Sequence, residues 1–298
     1  MRRALSTALG VAVLVAAAGA TAPPAAAARE PLGVVAAFYP LAWAVEQVGA
    51  GNVKVSNLTP AGAEPHDLEL TPDDRDAIED ARLVVVLGKG FQPAVEDAAS
   101  VRDSGTLEVL EHLPIGVKGN RVDPHVWLDP VLMSDIVDDV AASLAKIDAK
   151  HAPQYRANAR AVRADLEMLD AEFRAGLGDC ERDVIVTAHE AFGYLADRYG
   201  LQQEGVAPLS PDAEPSPERL ADLADLAEER GVTTIFTEEL VSPKIAQTLA
   251  REAGGLETAV LSPLESLTDA QVHRHADYLS VMRVNLKRLQ QALGCTSP

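Results

Sequence analysis

Seven histidines are spread along the 298 residues of the chain, and three of them share one kind of local setting. His66 stands in Pro65-His66-Asp67, shortly before Thr71-Pro72. His125 stands in Asp123-Pro124-His125-Val126-Trp127, four residues before Asp129-Pro130. His189 directly follows the apolar run from Val184 to Ala188. A neutral imidazole offers one ring nitrogen as a metal ligand. A carboxylate arises in the same way, because the run Val232–Phe236 leads into Thr237-Glu238-Glu239. Three imidazoles and one carboxylate form a closed tetrahedral shell suited to Zn²⁺, and imidazole-rich ligation favours zinc over manganese, which prefers oxygen. The histidines lie 59 and 64 residues apart, which matches no short zinc motif. Spacing alone therefore does not make a site. His112, His151, His273 and His275 read as structural or surface residues; the last two, at i and i+2, do not share a helix face.

Bringing such distant loops together requires a fold that collects them at one edge. In open α/β sheets ligands bind in the crevice at the carboxyl ends of the strands. The first half of the chain alternates strand and helix patterns: strand over Leu32–Phe38, helix over Leu41–Val48, strand over Val53–Leu58, a buried parallel strand over Leu83–Leu87, helix from Pro130 to Ile147. Next, apolar residues recur every three or four positions from Ala152 through Tyr155, Ala159, Val162, Leu166, Leu169 and Phe173 to Leu177. That is one stripe on a helix of about 26 residues, or about 39 Å. The second half repeats the alternation, with strands over Val184–Val186, Leu201–Val206, Val232–Phe236 and Ala259–Leu261. Its helices are expected over Ala191–Tyr199, Leu220–Arg230, Ile245–Ala253 and Thr268–Leu293. Thr71-Pro72, Asp129-Pro130, Ser216-Pro217 and Ser242-Pro243 each read as a capping residue followed by Pro at the first helical position. The expected class is α/β: two lobes, each a parallel-sheet βα layer fold, joined by one long rigid helix. The boundaries are residues 1–28 for a leader, 29–148 for the first lobe, 149–178 for the helix and 179–298 for the second lobe.

The leader rests on Arg2-Arg3, the thirteen-residue apolar run Ala8–Ala20 and the small residues Ala26-Ala27-Ala28. That order is a secretory signal peptide, and the run is too short to span a bilayer. The mature protein is therefore expected to be exported and soluble, and with no Cys in the leader, not lipid-anchored there. With 45 Asp and Glu against 26 Lys and Arg, the net charge is -19. This excludes a partner bound by phosphate neutralisation, such as nucleic acid. Cys180 and Cys295 are the two cysteines. In an exported protein a disulfide is favoured over two free thiols.

Four strings carry a resemblance over nearly the whole chain after the leader. They are Pro65-His66-Asp67-Leu68-Glu69-Leu70-Thr71-Pro72, the segment Asp123-Pro124-His125-Val126-Trp127-Leu128-Asp129-Pro130, the segment Thr187-Ala188-His189-Glu190-Ala191-Phe192-Gly193-Tyr194, and Glu214-Pro215-Ser216-Pro217 with Ile235-Phe236-Thr237-Glu238. In order and spacing they resemble the zinc/manganese solute-binding proteins of ABC importers. The resemblance implies two lobes bridged by a rigid helix, a metal in the interlobe cleft, and His66, His125 and His189 on the family's metal histidines. A third histidine, where manganese members often carry a carboxylate, implies the zinc branch, with Mn²⁺ the less favoured ion. The family often has Asp-Pro-Leu near the end of the last strand, where this chain has Ser262-Pro263-Leu264. The fourth ligand is therefore open among Glu238, Glu239, Glu64 and water, with Glu238 placed in the ligand set. The Glu111–Asp123 stretch is short and holds only His112, so a His-rich metal-gathering loop is not expected.

The expected function is a monomeric extracytoplasmic Zn²⁺-binding protein that delivers the ion to an ABC importer permease, with affinity falling as pH drops through about 6.5, the ordinary histidine value. Two rivals remain at this level. One is a zinc hydrolase, for which an HExxH motif is missing because position 193 is Gly. The other is a two-lobe binder of a chelated metal or small organic ligand.

Overall fold

Short aliphatic runs buried on both faces form the centre of two four-stranded parallel sheets. The structure, a computed structural model, describes residues 30–115, 122–211 and 213–296. The leader reading lies outside these residues. The first lobe contains β1 (Leu32–Ala36), α1 (Tyr39–Gly49), β2 (Val53–Asn57), α2 (Pro72–Asp80), β3 (Leu83–Val86), α3 (Pro93–Ser100), β4 (Thr106–Glu108), α4 (Val109–His112) and α5 (Pro130–Ile147). After α6 (Ala152–Leu177) come β5 (Val184–Thr187), α7 (Gly193–Tyr199), β6 (Gln202–Gly205), α8 (Pro217–Glu229), β7 (Thr234–Thr237), α9 (Lys244–Glu252), β8 (Glu257–Val260), α10 (Asp269–His273) and α11 (Tyr278–Leu293).

The strand orders are β2-β1-β3-β4 and β6-β5-β7-β8. Every pairing is parallel, so all carboxyl ends within a sheet face the same edge. The first strand of each lobe lies between the second and third, which creates a switch point in both sheets. The central strands β3, β5 and β7 are buried along their whole length, as sheets covered by helices on both faces require.

The apolar stripe read from Ala152 to Leu177 is the buried face of α6. This helix packs on α5 and α1 of the first lobe and on α11 and α7 of the second. One continuous core joins both lobes through it, with Phe38, Trp127, Tyr155, Phe173, Phe192 and Tyr278 among its members. A smaller aliphatic cluster lies between the second sheet and α8 and α9.

Three of the four cap readings hold: the side chains of Thr71, Asp129 and Ser216 each accept a first-turn N–H ahead of a Pro. The fourth does not. Pro243 is already in helical conformation, and the residue before α9 makes no side-chain cap bond. The expected continuous helix from Thr268 to Leu293 is two helices. Each has its own capping box, Thr268 with Gln271 and Asp277 with Ser280, and His275 between them sits at φ 54. A residue in the left-handed region cannot continue a right-handed helix. β4 and α3 have no counterpart in the sequence pattern; β4 is only three residues long. Gly294, at φ 67, ends α11 and turns the chain to Cys295, which is disulfide-bonded to Cys180 at the end of α6.

Candidate metal centre

His66 lies in the loop between β2 and α2, and that loop is tied down at several points. Thr59 Oγ1 donates to Ala37 O at 2.8 Å, Gly62 N donates to Leu267 O at 2.8 Å, and Ser266 Oγ donates to Pro60 O at 3.1 Å. The last two bonds join it to the loop after β8. The His66 ring lies against the edge of Phe91, with centroids 4.5 Å apart, and Glu64 Oε1 accepts its backbone N–H at 3.2 Å.

His125 and His189 are held by the same device. Asp123 Oδ1 accepts both the backbone N–H of His125 (3.0 Å) and its ring Nδ1 (2.8 Å). Glu238 Oε1 accepts the backbone N–H of His189 (3.2 Å) and its ring Nδ1 (2.7 Å). A carboxylate on Nδ1 fixes the ring and leaves the Nε2 lone pair for a ligand. The pairing of His189 with Glu238 follows from topology, since β5 and β7 are neighbours and both residues leave their carboxyl ends.

The three Nε2 atoms converge on one oxygen. Glu265 Oε1 is 3.4 Å from His66 Nε2, 3.3 Å from His125 Nε2 and 3.4 Å from His189 Nε2. The Nε2 atoms of His125 and His189 are 3.3 Å apart. A tetrahedron with zinc–ligand bonds of about 2.0–2.1 Å has edges of about 3.3–3.4 Å. All four ligand atoms lie within 4.8 Å of one another, and this is the metal-type cluster found among the described residues. Glu265 is 1% exposed and His66 12%. Both Glu265 oxygens and His66 Nε2 are buried without a hydrogen-bond partner among the described residues. Such orphaned atoms are costly unless something else satisfies them.

The electrostatics fit a cation. Burial opposes a charge on His189, but the carboxylates of Glu238 and Glu265 outweigh it and push its pKa up to about 10. Burial also opposes a charged His125, yet the bond to Asp123 and the nearby Glu265 carboxylate leave its pKa raised. For Glu265 burial alone would favour the neutral acid; the three imidazoles outweigh it and hold the carboxyl well below its usual range. Glu64 is pushed up to about 8, first by burial and then by the nearby Glu265 charge.

Of the residues read from sequence, His66, His125 and His189 come together. Glu238 does not join the cluster: it occupies the far side of His189, on Nδ1. Glu239 accepts from Gln271 Nε2 at 3.3 Å, and Glu64 lies on the backbone N–H of His66. The carboxylate in reach is Glu265, which the sequence reading missed. The available signal was modest: Glu265 is the first acidic residue after β8, in Ser262-Pro263-Leu264-Glu265. What aims it is Leu264, buried at φ 56, a strained conformation of the kind that persists where surroundings enforce it. His112, His151, His273 and His275 stay outside the cluster.

No helix among the described residues is long and apolar enough to cross a membrane. Residues 34–292 match the family model for the periplasmic zinc-uptake complex component A. The chain is 36% identical over 280 residues to the high-affinity zinc uptake system protein ZnuA of Bacillus subtilis, covering 88% of each chain. It is 35% identical over 284 residues to the zinc-binding protein AdcA of Streptococcus pyogenes, covering 86% of this chain and 55% of the relative. The chain thus spans about half the length of that streptococcal relative. Among solved structures, the Zn(II)-bound ZnuA-like domain of Streptococcus pneumoniae AdcA superposes with a TM-score of 0.77 at 35% identity, covering 88% of this chain and 99% of that one.

Proposed function

The chain belongs to the family of the periplasmic zinc-uptake complex component A, and from that premise we propose that it is an extracytoplasmic Zn²⁺-binding protein that captures the ion and delivers it to an ABC importer permease. The observation that carries this is the spacing of His66, His125, His189 and Glu265: four of the six distances among their ligand atoms lie at the edge length of a zinc tetrahedron, and all lie within 4.8 Å. In this reading Glu265 is the fourth ligand, and Glu238 and Asp123 orient His189 and His125. Mn²⁺ is disfavoured because three of the four donors are imidazoles and the shell is small.

The zinc hydrolase reading loses its support at the same point. Catalytic zinc keeps an open position for water, whereas in this reading Glu265 is a fourth protein donor that fills the shell. The protein acts as a carrier, as a monomer and without nucleic acid, exported by its leader. Lobes at 29–148 and 179–298 bracket the helix. A chelator-competition titration of Zn²⁺ and Mn²⁺ into metal-free protein, beside His189→Ala, tests the reading. One tight zinc site, strongly weakened by the substitution and poorly filled by manganese, is expected. The absence of a tight site, or one indifferent to His189, would overturn it.

A further inference from the structure

A chain of buried hydrogen bonds runs from the first lobe to the loop that carries Glu265. Trp127 follows His125 by two residues, is fully buried, and donates its indole N–H to Pro263 O at 2.7 Å. Its own backbone carbonyl accepts from Tyr278 Oη at 2.6 Å, and Tyr278 stacks on Trp43 of α1. The indole also packs edge-on to Phe38 and Phe91 and lies 5.2 Å from the His125 ring. Phe91 in turn backs His66. One aromatic cluster therefore supports two imidazoles of the first lobe while the Trp127 N–H reaches the ligand loop of the second.

The same loop is gripped from the other side. Asn285, fully buried on α11, accepts from Ser262 N at 2.9 Å and donates to Ser262 O at 2.7 Å. Ser262 Oγ accepts from Leu264 N at 3.3 Å. The segment Ser262–Leu264 thus has its polar backbone held from both lobes up to Leu264, the residue at positive φ. A buried Asn and a buried indole N–H each need partners, and both find them on the three residues immediately before Glu265.

We propose that Trp127 and Asn285 are positioning residues that hold the Glu265 carboxylate at tetrahedral distance from the three imidazoles and so set the preference for Zn²⁺ over Mn²⁺. This rests on the zinc-binding reading above. A ligand loop free to shift can accept the larger, oxygen-rich, octahedral shell that suits manganese; one fixed from both lobes cannot widen without breaking buried bonds. The cost of widening falls on manganese, while zinc uses the geometry as built.

The test is Trp127→Phe, which removes the N–H while keeping an aromatic ring, beside Asn285→Ser, which removes the grip from α11. Zn²⁺ and Mn²⁺ affinities are measured by chelator competition, and Co²⁺ is added as a spectroscopic stand-in for zinc. For each variant the Zn²⁺ affinity is expected to fall about tenfold, the scale of one lost hydrogen bond. Mn²⁺ affinity is expected to hold or rise, and the visible spectrum of the Co²⁺ form to lose intensity as the site leaves tetrahedral symmetry. Equal losses for both metals, or an unchanged Zn²⁺ to Mn²⁺ ratio and Co²⁺ spectrum in the variants that fold, would overturn the proposal. If Trp127→Phe does not fold, Asn285→Ser decides alone. Failure of the wild-type protein to bind Zn²⁺ would overturn the underlying reading before any variant is compared.

Discussion

On the proposed reading, zinc displaces a proton from His189. With its pKa held at about 10 by Glu238 and Glu265 against the effect of burial, this imidazole carries a proton in the metal-free protein at neutral pH. At pH 7.5 the form with a free lone pair is disfavoured by a factor of a few hundred, or about 3 kcal/mol. Apparent zinc affinity should therefore rise about tenfold per pH unit between pH 8.5 and 9.5, one proton leaving per ion bound. Below pH 8 the slope should steepen, because Glu64, pushed up to about 8, also loses its proton beside an arriving cation. This extends well above the pH of about 6.5 expected from an ordinary histidine. The sign for folding is opposite. A raised His189 pKa stabilises the metal-free fold fully below about 6.5, and that contribution is lost as pH rises through about 10. The gain in melting temperature on adding zinc should thus grow with pH. Chelator competition across pH, with calorimetry in buffers of different ionisation enthalpy, measures both the slope and the protons released. Glu238→Gln removes the leading charge that raises the pKa and should shift the steep region downward. A flat affinity between pH 8.5 and 9.5 with no proton release would refute the electrostatic reasoning.

Three further outcomes are expected. Glu265→Gln keeps the shape but removes the charge on which three imidazoles converge; zinc affinity should drop more than 100-fold by chelator titration, against about 10–100-fold for Glu238→Gln, which acts through His189. Asp129→Ala removes the α5 cap and leaves Arg198, which donates from Nε at 2.8 Å and Nη2 at 2.6 Å, without its partner across the lobes; urea unfolding should show a loss of about 2–4 kcal/mol, discounted because Arg198 is partly exposed. Replacing both Cys180 and Cys295 by Ser opens a loop of 115 residues and should cost about 2–5 kcal/mol in denaturant titration, with zinc binding at the folded site retained.

Much of the architecture is written in local patterns. The stripe from Ala152 to Leu177 became one buried helix face, because 3.6-residue periodicity is a property of neighbours in sequence. Leu83–Leu87 announced a doubly buried strand for a similar reason, and Thr71, Asp129 and Ser216 marked helix starts through bonds no longer than one turn. Ser242 carried the same signature and failed, since the chain entered helical conformation at Pro243. The break at His275 was equally hidden: nothing in that residue's type demands a left-handed backbone.

For the candidate site, His66, His125 and His189 were legible from their residue type and local setting, and the cluster gathers them from the loop after β2, the segment between α4 and α5, and the end of β5. The carboxylate was not. Glu238 and Glu265 both follow a strand of the second lobe, and sequence cannot say which one faces the imidazoles. Sheet order put Glu238 beside His189 Nδ1. Glu265 follows a positive φ at Leu264, and Trp127 and Asn285 are bonded to the residues just before it. The residue types and their local settings determined which groups were available to a candidate metal site. Which oxygen meets the three nitrogens depends on contacts between residues 23 and 136 positions apart, whose cost and reward exist only once the chain has folded.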